Sequence, residues 1–117
     1  MSIVEVNDLR IYQLALELLK ETFDLGSKFK PIDWDMTRHI KKTATQIAPA
    51  IAEGYAKKSS PKEFKRFLQI AMGSSDEMVT HLRQIKIIGC NDSKVDHLIE
   101  NYRTLSKQIN VLIKVWH

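Results

Sequence analysis

The sequence predicts an all-α fold, an antiparallel up-down-up-down bundle of four helices. Apolar residues recur three or four positions apart in four segments, as they do on the buried face of a helix. No segment alternates apolar and polar residues between turn signals, so no strand is predicted. The four predicted helices cover residues 8–26, 34–58, 61–89 and 93–116. Because the second and third connections are short, the helices that flank them should pack as antiparallel neighbours.

The length and composition of the chain predict a single small domain, which we expect to span residues 1–117. Its 117 residues leave no room for a second core, and the hydrophobic content of 44% suffices to build one. The single cysteine, Cys90, excludes an internal disulfide bond and a cysteine-based zinc site. The N-terminus lacks the pattern of a signal peptide and no apolar run reaches about 18 residues, so we expect a cytoplasmic protein without a membrane partner.

The first predicted helix carries two apolar stripes. One consists of Tyr12, Leu16, Leu19 and Phe23, and the other of Ile11, Leu14, Ala15, Leu18 and Leu25. A helix with two apolar faces is expected to be buried on two sides, which is more than a four-helix bundle alone requires. Asn7 is predicted to cap the start of this helix, and Gly26 with Pro31 to end it.

The second predicted helix contains two backbone irregularities. Its apolar stripe is Met36, Ile40, Ala44, Ile47, Ile51 and Tyr55, and Asp33 is its predicted cap. Pro49 lies within the helix, where it removes one hydrogen bond and crowds the carbonyl group of Thr45, so we expect a kink. Gly54 lies near the end of this helix and Gly73 within the third. Because Gly costs about 1 kcal/mol relative to Ala inside a helix, we expect close helix–helix contact at both.

The third and fourth predicted helices have one long apolar seam each, with alternating spacings of three and four residues. The third seam is Phe64, Leu68, Ala71, Ser75, Met78, Leu82, Ile85 and Gly89, and the fourth is Val95, Leu98, Tyr102, Leu105, Ile109, Leu112 and Trp116. Ser60, Pro61 and Glu63 match a capping box with proline at the first helical position. Gly89 is the predicted stop of the third helix, and Asp92 or Ser93 is the predicted cap of the fourth.

No arrangement of residues in the sequence indicates an enzyme. Glu53 is the strongest candidate for a general base, but the sequence places no second carboxylate, histidine or metal motif beside it. We therefore predict that Glu53 is a structural hydrogen-bond acceptor, buried or at an interface. The four histidines lack the spacing of metal ligands, and Cys90 has no neighbouring histidine. No metal and no cofactor are expected, and a metal-dependent bundle enzyme is the remaining enzymatic hypothesis.

Positive charge is concentrated in the middle of the chain. The formal net charge is +4, and residues 34–89 contain ten Lys and Arg against five Asp and Glu, whereas the remainder contains eight against nine. The cations of interest are Lys57, Lys58, Lys62, Lys65 and Arg66, around the break between the second and third helices, and Arg38, Lys41 and Lys42, on the second helix. An anionic partner such as a phosphate backbone would relieve their mutual repulsion. We predict that these eight residues contact nucleic acid, and a solvated surface without a partner is the alternative interpretation.

Three motifs occur in order along the middle of the chain: IAEGYAKKS, EFKRFLQIAMGSSDE and IIGC. With these motifs the chain resembles the four-helix-bundle family of 23S rRNA intervening-sequence proteins, and the segment LRIYQLALELLKETFDL is similar to the first helix of that family. The resemblance extends over nearly the whole chain, although the last helix matches only in pattern. Ala50 departs from the family, which usually has Asn before IAEG.

The resemblance implies an antiparallel four-helix bundle that assembles into a ring-like homopentamer. The family includes proteins encoded within insertions in bacterial 23S rRNA genes. It also includes the accessory variability determinant of diversity-generating retroelements, a basic pentameric barrel that binds nucleic acid and a reverse transcriptase. No enzymatic activity is implied. We therefore expect a non-enzymatic oligomer that binds structured RNA or RNA/DNA, and a protein–protein scaffold, such as an adaptor for a reverse transcriptase, is the alternative hypothesis.

Overall fold

The computed structural model describes residues 5–26, 34–89 and 92–117, and these residues form four helices. The helices are α1 (Arg10–Gly26), α2 (Trp34–Ala56), α3 (Pro61–Ile87) and α4 (Ser93–Val115), and a 3-10 turn at Val6–Asp8 precedes α1. The all-α prediction is confirmed, and every helix begins and ends within two residues of its predicted bounds. The described part of the chain has no strand, and none of its helices is long and apolar enough to cross a membrane.

The four helices pack in the arrangement of a bundle. α1 lies against α2 and α4, and α3 lies against the same two helices from the other side. At one end, the ring of Phe64 at the start of α3 meets the ring of Trp116 just after α4, with 4.7 Å between the ring centroids. At the other end, Lys86 near the end of α3 donates to Asp96 in the first turn of α4 at 2.7 Å. These contacts show that α3 and α4 are antiparallel.

The predicted seams of α2, α3 and α4 supply most of the core, and the inner stripe of α1 completes it. The largest fully buried side chains of these three seams are Ile40, Ile47, Ile51, Phe64, Leu68, Met78, Leu82, Leu98, Tyr102, Leu105 and Ile109. Met36, Leu112 and Trp116 are only half-buried because they lie at or near helix ends, and Gly89 is exposed beyond the end of α3. The apolar spacing therefore predicted the inner face of three helices correctly.

Only one of the two apolar stripes of α1 is buried in the single chain, and burial of the second stripe against another copy stays a prediction. The stripe that begins with Ile11 and ends with Leu25 faces the core, apart from Leu14, which is half-buried. In the other stripe, Leu16 is 40% exposed and Phe23 is 39% exposed. A helix in a four-helix bundle has neighbours on its inner side only, so the second stripe lies at the edge of the contact with α2. It leaves an apolar edge open to solvent.

A buried network of hydroxyl groups connects three of the helices, and the apolar spacing did not predict it. The hydroxyl oxygens of Thr22 on α1 and Tyr102 on α4 are 2.6 Å apart, and Thr22 donates to the carbonyl of Leu18 at 2.7 Å. The hydroxyl of Ser75 on α3 donates to the carbonyl of Tyr102 at 2.9 Å and accepts from Ser106 at 2.8 Å. Burial raises the pKa of Tyr102 to about 12 because ionisation would place a charge in the core.

The start of α3 forms half of the predicted capping box. The hydroxyl of Ser60 accepts from the backbone N–H of Glu63 at 3.3 Å, and Pro61 occupies the first turn, as predicted. The reciprocal bond to the Ser60 N–H is absent. That N–H donates to the carbonyl of Lys57 at 3.0 Å, and the side chain of Glu63 accepts from Arg66 instead.

The other predicted helix ends have different outcomes. Asp92 caps α4 by accepting from the backbone N–H of Lys94 at 2.8 Å. Gly89 has a φ of +123°, a conformation that suits glycine just after α3. The cap predicted at Asn7 is wrong, because Asn7 lies in the 3-10 turn and α1 begins only at Arg10. Three residues with a predicted role lie outside the described residues: Pro31, Asp33 and Cys90.

The two helical glycines differ sharply in their surroundings. A Cβ atom on Gly54 would lie 2.7 Å from the Cβ of Phe67 and 3.1 Å from Cδ1 of Phe64, so α2 and α3 approach closely there, as predicted. Gly73 is exposed, and no atom lies within 4 Å of the Cβ position, so the close contact predicted there is wrong. Pro49 lies on the exposed side of α2, which continues to Ala56, and the kink stays a prediction.

Candidate functional site

The five cations around the α2–α3 connection are brought together by a tight backbone turn. α2 ends at Ala56 and α3 begins at Pro61. The N–H of Lys57 donates to the carbonyl of Gly54 at 3.0 Å, and the N–H of Lys58 donates to that of Tyr55 at 3.2 Å. These hydrogen bonds reverse the direction of the backbone directly after α2. As a result, the two lysines of the turn lie beside the first turns of α3.

The ring of a buried phenylalanine makes cation–π contacts with two of these cations. The ring of Phe67 is only 8% exposed because it packs against Gly54, as described above. The Nζ atom of Lys57 lies 4.7 Å from the ring centroid, and the guanidinium carbon of Arg66 lies 4.4 Å from it. Both distances are within the range of a cation–π contact. We call these three residues, Lys57, Arg66 and Phe67, the Phe67 cluster.

The ring of Tyr55 makes a cation–π contact with a third cation. The Nζ atom of Lys58 lies 3.9 Å from the centroid of the Tyr55 ring, and Tyr55 is only 6% exposed. Sequence reasoning identified the cations but did not predict their contacts with these two rings. The available signal was that Phe67 lies off the apolar seam of α3 and directly follows Arg66.

Two carboxylates pair with the cations of the Phe67 cluster. Glu53 Oε1 lies 3.5 Å from Lys57 Nζ, and Arg66 Nε donates to Glu63 Oε2 at 2.8 Å. The hydrogen bond from Arg66 lowers the pKa of Glu63 below its usual value and raises that of Arg66. The side chain of Glu53 accepts a hydrogen bond from Lys57 but is 58% exposed, so it is not buried in the single chain, and a position at an interface stays a prediction. Its position on α2 faces solvent, with Lys57 one helical turn further along.

The remaining three cations have no acidic partner in the described part of the chain. Lys58, Lys62 and Lys65 form no ion pair there. Five cations and two carboxylates leave an excess of three positive charges on this surface. We call it the α2–α3 basic surface; it consists of Lys57, Lys58, Lys62, Lys65 and Arg66.

The other three predicted contact residues lie at the opposite end of α2. Lys42 and Lys57 are separated by roughly 22 Å along the helix axis, at a rise of about 1.5 Å per residue. Arg38 pairs with Asp35 at 3.0 Å, and Lys41 lies over the ring of Phe23 at 5.2 Å. Lys42 is exposed. The structure therefore does not combine all eight cations into one surface, and Lys41 is largely occupied by packing against α1.

A comparison with family models decides which proteins this chain is related to. The model of the 23S rRNA-intervening sequence proteins matches residues 7–111, which include α1, α2, α3 and most of α4. The chain belongs to this family. A search of curated proteins found no match.

The match to the 23S rRNA-intervening sequence family includes the α2–α3 basic surface and the cations at the other end of α2.

Away from these cations, the structure has an open apolar groove of about 510 Å³ between α1 and α4. Its apolar walls are Leu9, Ile11, Val111 and Leu112. Within the described residues, no three His, Cys, Asp or Glu side chains are grouped as metal ligands would be.

Proposed function

We propose that this member of the 23S rRNA-intervening sequence family is a non-enzymatic helical bundle that binds structured RNA or RNA/DNA through its α2–α3 basic surface. The observation that carries the proposal is the excess of cations on that surface, where Lys58, Lys62 and Lys65 have no acidic partner in the described chain. Three unpaired ammonium groups on adjacent turns repel one another, and a row of phosphates would remove that repulsion.

The way the aromatic rings are covered favours contact with the phosphate backbone over contact with bases. Proteins that hold single strands stack bases on exposed aromatic side chains. Here Tyr55 and Phe67 are buried, and their accessible faces are covered by cations of the same chain. A folded or double-stranded nucleic acid presents its phosphates outward and keeps its bases stacked, so it suits this surface better.

Self-association into a ring-like homopentamer is part of the proposal. The open apolar edge of α1, with Leu16 and Phe23, supports an interface with another copy, because exposed apolar stripes of this kind mark contact surfaces. Several copies of a modest basic surface in one particle would bind a long polyanion far more tightly than a single copy. Arg38 and Lys42 could add contacts from the other end of the bundle. We place the assembly in the cytoplasm.

The test is a titration of labelled duplex RNA at several salt concentrations, read by fluorescence anisotropy. Phosphate contacts by Lys58, Lys62 and Lys65 alone give a slope of log K against log salt of roughly −3 for each copy on a duplex, and contacts by all five cations give a slope of roughly −4.5. Replacing Lys58, Lys62 and Lys65 by Gln should abolish most of the binding. The matched control replaces three exposed lysines elsewhere, Lys20, Lys94 and Lys107, and removes the same charge. Equal losses in both variants would contradict the assignment of the surface.

A protein–protein scaffold, for example an adaptor for a reverse transcriptase, is the second candidate function. The observation that favours it is the apolar groove between α1 and α4, where Val111 is 59% exposed. Absence of RNA binding even at low salt would favour the scaffold. In that case, a variant with Val111 replaced by Asp should lose its protein partner, whereas the lysine variants should keep it.

A further inference from the structure

Two acidic side chains lie inside the α2–α3 basic surface, and both bind cations that also contact one ring. The order in space is Glu53, Lys57, Phe67, Arg66, Glu63. Glu53 is 3.5 Å from Lys57, and Glu63 accepts from Arg66 at 2.8 Å. The two cations lie 4.7 Å and 4.4 Å from the ring centroid of Phe67. Each cation of the Phe67 cluster is therefore paired with a carboxylate in the free protein.

We propose that Glu53 and Glu63 compete with nucleic acid for the cations of this surface. They pair with Lys57 and Arg66 in the free protein until the phosphates of a bound nucleic acid displace them. The inference rests on the function proposed above and assigns a role to the two residues that weaken this surface. In the free protein, the cations available without any exchange are Lys58, Lys62 and Lys65. Binding converts all five cations into phosphate contacts.

Phosphates can displace the two carboxylates because both ion pairs are exposed to solvent. The cations meanwhile keep their contacts with the ring of Phe67. Both carboxylates and both cations are between 42% and 58% exposed, so water and salt already weaken their attraction. The ring of Phe67 contacts each cation independently of the carboxylates. When a carboxylate leaves, Lys57 or Arg66 therefore stays near its original position, and the phosphate meets a cation that is already oriented.

The competition also selects the class of anion. A single carboxylate from another protein carries the same charge as Glu53 or Glu63 and gains nothing by replacing them. A phosphate backbone differs because it contacts Lys58, Lys62 and Lys65 at the same time, so the displacement becomes part of one larger binding event. The surface should therefore discriminate against isolated carboxylates and favour closely spaced anions such as the phosphates of a nucleic acid backbone.

The experiment compares wild type, Glu53→Gln, Glu63→Gln and the double variant for binding to labelled duplex RNA. Glutamine keeps the size of the side chain and removes the competing charge. The control is Glu100→Gln, because Glu100 forms an i,i+3 pair with Arg103 at 3.2 Å on α4 and its replacement changes the net charge equally. Circular dichroism confirms that each variant is folded. We expect a roughly two- to tenfold gain in affinity for the double variant, in keeping with the modest strength of exposed ion pairs.

The outcomes separate the inference from the function on which it rests. If Glu53→Gln and Glu63→Gln each bind more tightly than Glu100→Gln, which removes the same single charge, and the gains persist from about 50 to about 200 mM salt, the inference is supported. If wild type and all variants bind RNA with the same affinity, the competition is refuted but the proposed function stands. If none of the proteins binds, both fail. Gains of equal size in Glu53→Gln, Glu63→Gln and Glu100→Gln would reveal a general charge effect and overturn the specific role of Glu53 and Glu63.

Discussion

Replacing Gly54 by alanine should destabilise the protein, although alanine is the better helix former. The Cβ atom of the new side chain would lie 2.7 Å from the Cβ of Phe67, 3.1 Å from Cδ1 of Phe64 and 3.3 Å from the backbone carbonyl oxygen of Phe64. Carbon atoms in contact prefer separations of about 3.5 to 4.0 Å. Two of these three neighbours are a backbone atom and a Cβ atom, which cannot rotate away. The helices α2 and α3 must therefore move apart.

The expected net cost is the difference between two opposing contributions. Overpacking of a core typically costs about 1–3 kcal/mol, and the shortest contact here favours the upper half of that range. The change from Gly to Ala within a helix contributes about 1 kcal/mol in the opposite direction. We expect a net loss of about 1–2 kcal/mol, and a fall in the melting temperature of roughly 3–10 °C for a domain of this size.

Gly73→Ala is the matched control, because the same substitution enters open space on α3. Without a clash, only the gain in helix propensity remains, so stability should rise by up to about 1 kcal/mol. Thermal and urea unfolding, followed by circular dichroism at equal protein concentration, measures both variants. The reasoning is refuted if Gly54→Ala is as stable as Gly73→Ala. The same comparison tests the close approach of α2 and α3 that supports the Phe67 cluster.

Substitutions at three further positions test other parts of the structure. In Tyr102→Phe, the dependence of stability on pH between about 10 and about 12 should flatten. A phenol with a raised pKa contributes stability below pH 10 that wild type loses as the pH rises through about 12, by roughly 2–3 kcal/mol. Urea unfolding at pH 9 and 11 should detect about half of this loss, roughly 1–1.5 kcal/mol. Ser60→Ala removes the cap of α3 and should cost about 1 kcal/mol in the same assay, whereas Ser60→Asp should restore it. Ser75→Ala leaves the buried carbonyl of Tyr102 without its hydroxyl donor and should cost about 1–3 kcal/mol; a loss below about 0.5 kcal/mol would mean that the buried bond contributes little.

The spacing of apolar residues predicted most of the fold because each seam has a single periodicity. Phe64, Leu68 and Met78 on α3 illustrate this: their spacing fits one helical face, and that face is buried. Caps at Ser60 and Asp92 were predictable because their side chains act on backbone N–H groups only two or three residues away. Such local effects do not depend on the tertiary structure.

The features that escaped prediction depend on contacts between distant parts of the chain. Thr22 and Tyr102 are 80 residues apart, and nothing in their local sequence pairs them. The two glycines look alike in the sequence, yet Gly54 faces α3 and Gly73 faces solvent. Glu53 was expected to be buried or at an interface, but its angular position on α2 points into solvent in the single chain. For Arg38 and Lys42 the information was available, because the predicted bounds of α2 already place both residues about four or more helical turns from the α2–α3 connection.

The construction of the α2–α3 turn separates the determinants of folding from the determinants of binding. Backbone hydrogen bonds, the cap at Ser60 and the small size of Gly54 close the turn, and none of these uses a lysine side chain. Lysines on this surface can therefore be exchanged during evolution with little effect on the stability of the bundle. Related chains could share one scaffold and still diverge in the polyanion that they prefer. In such a lineage, Gly54 and Phe67 should change slowly and the cations around them quickly.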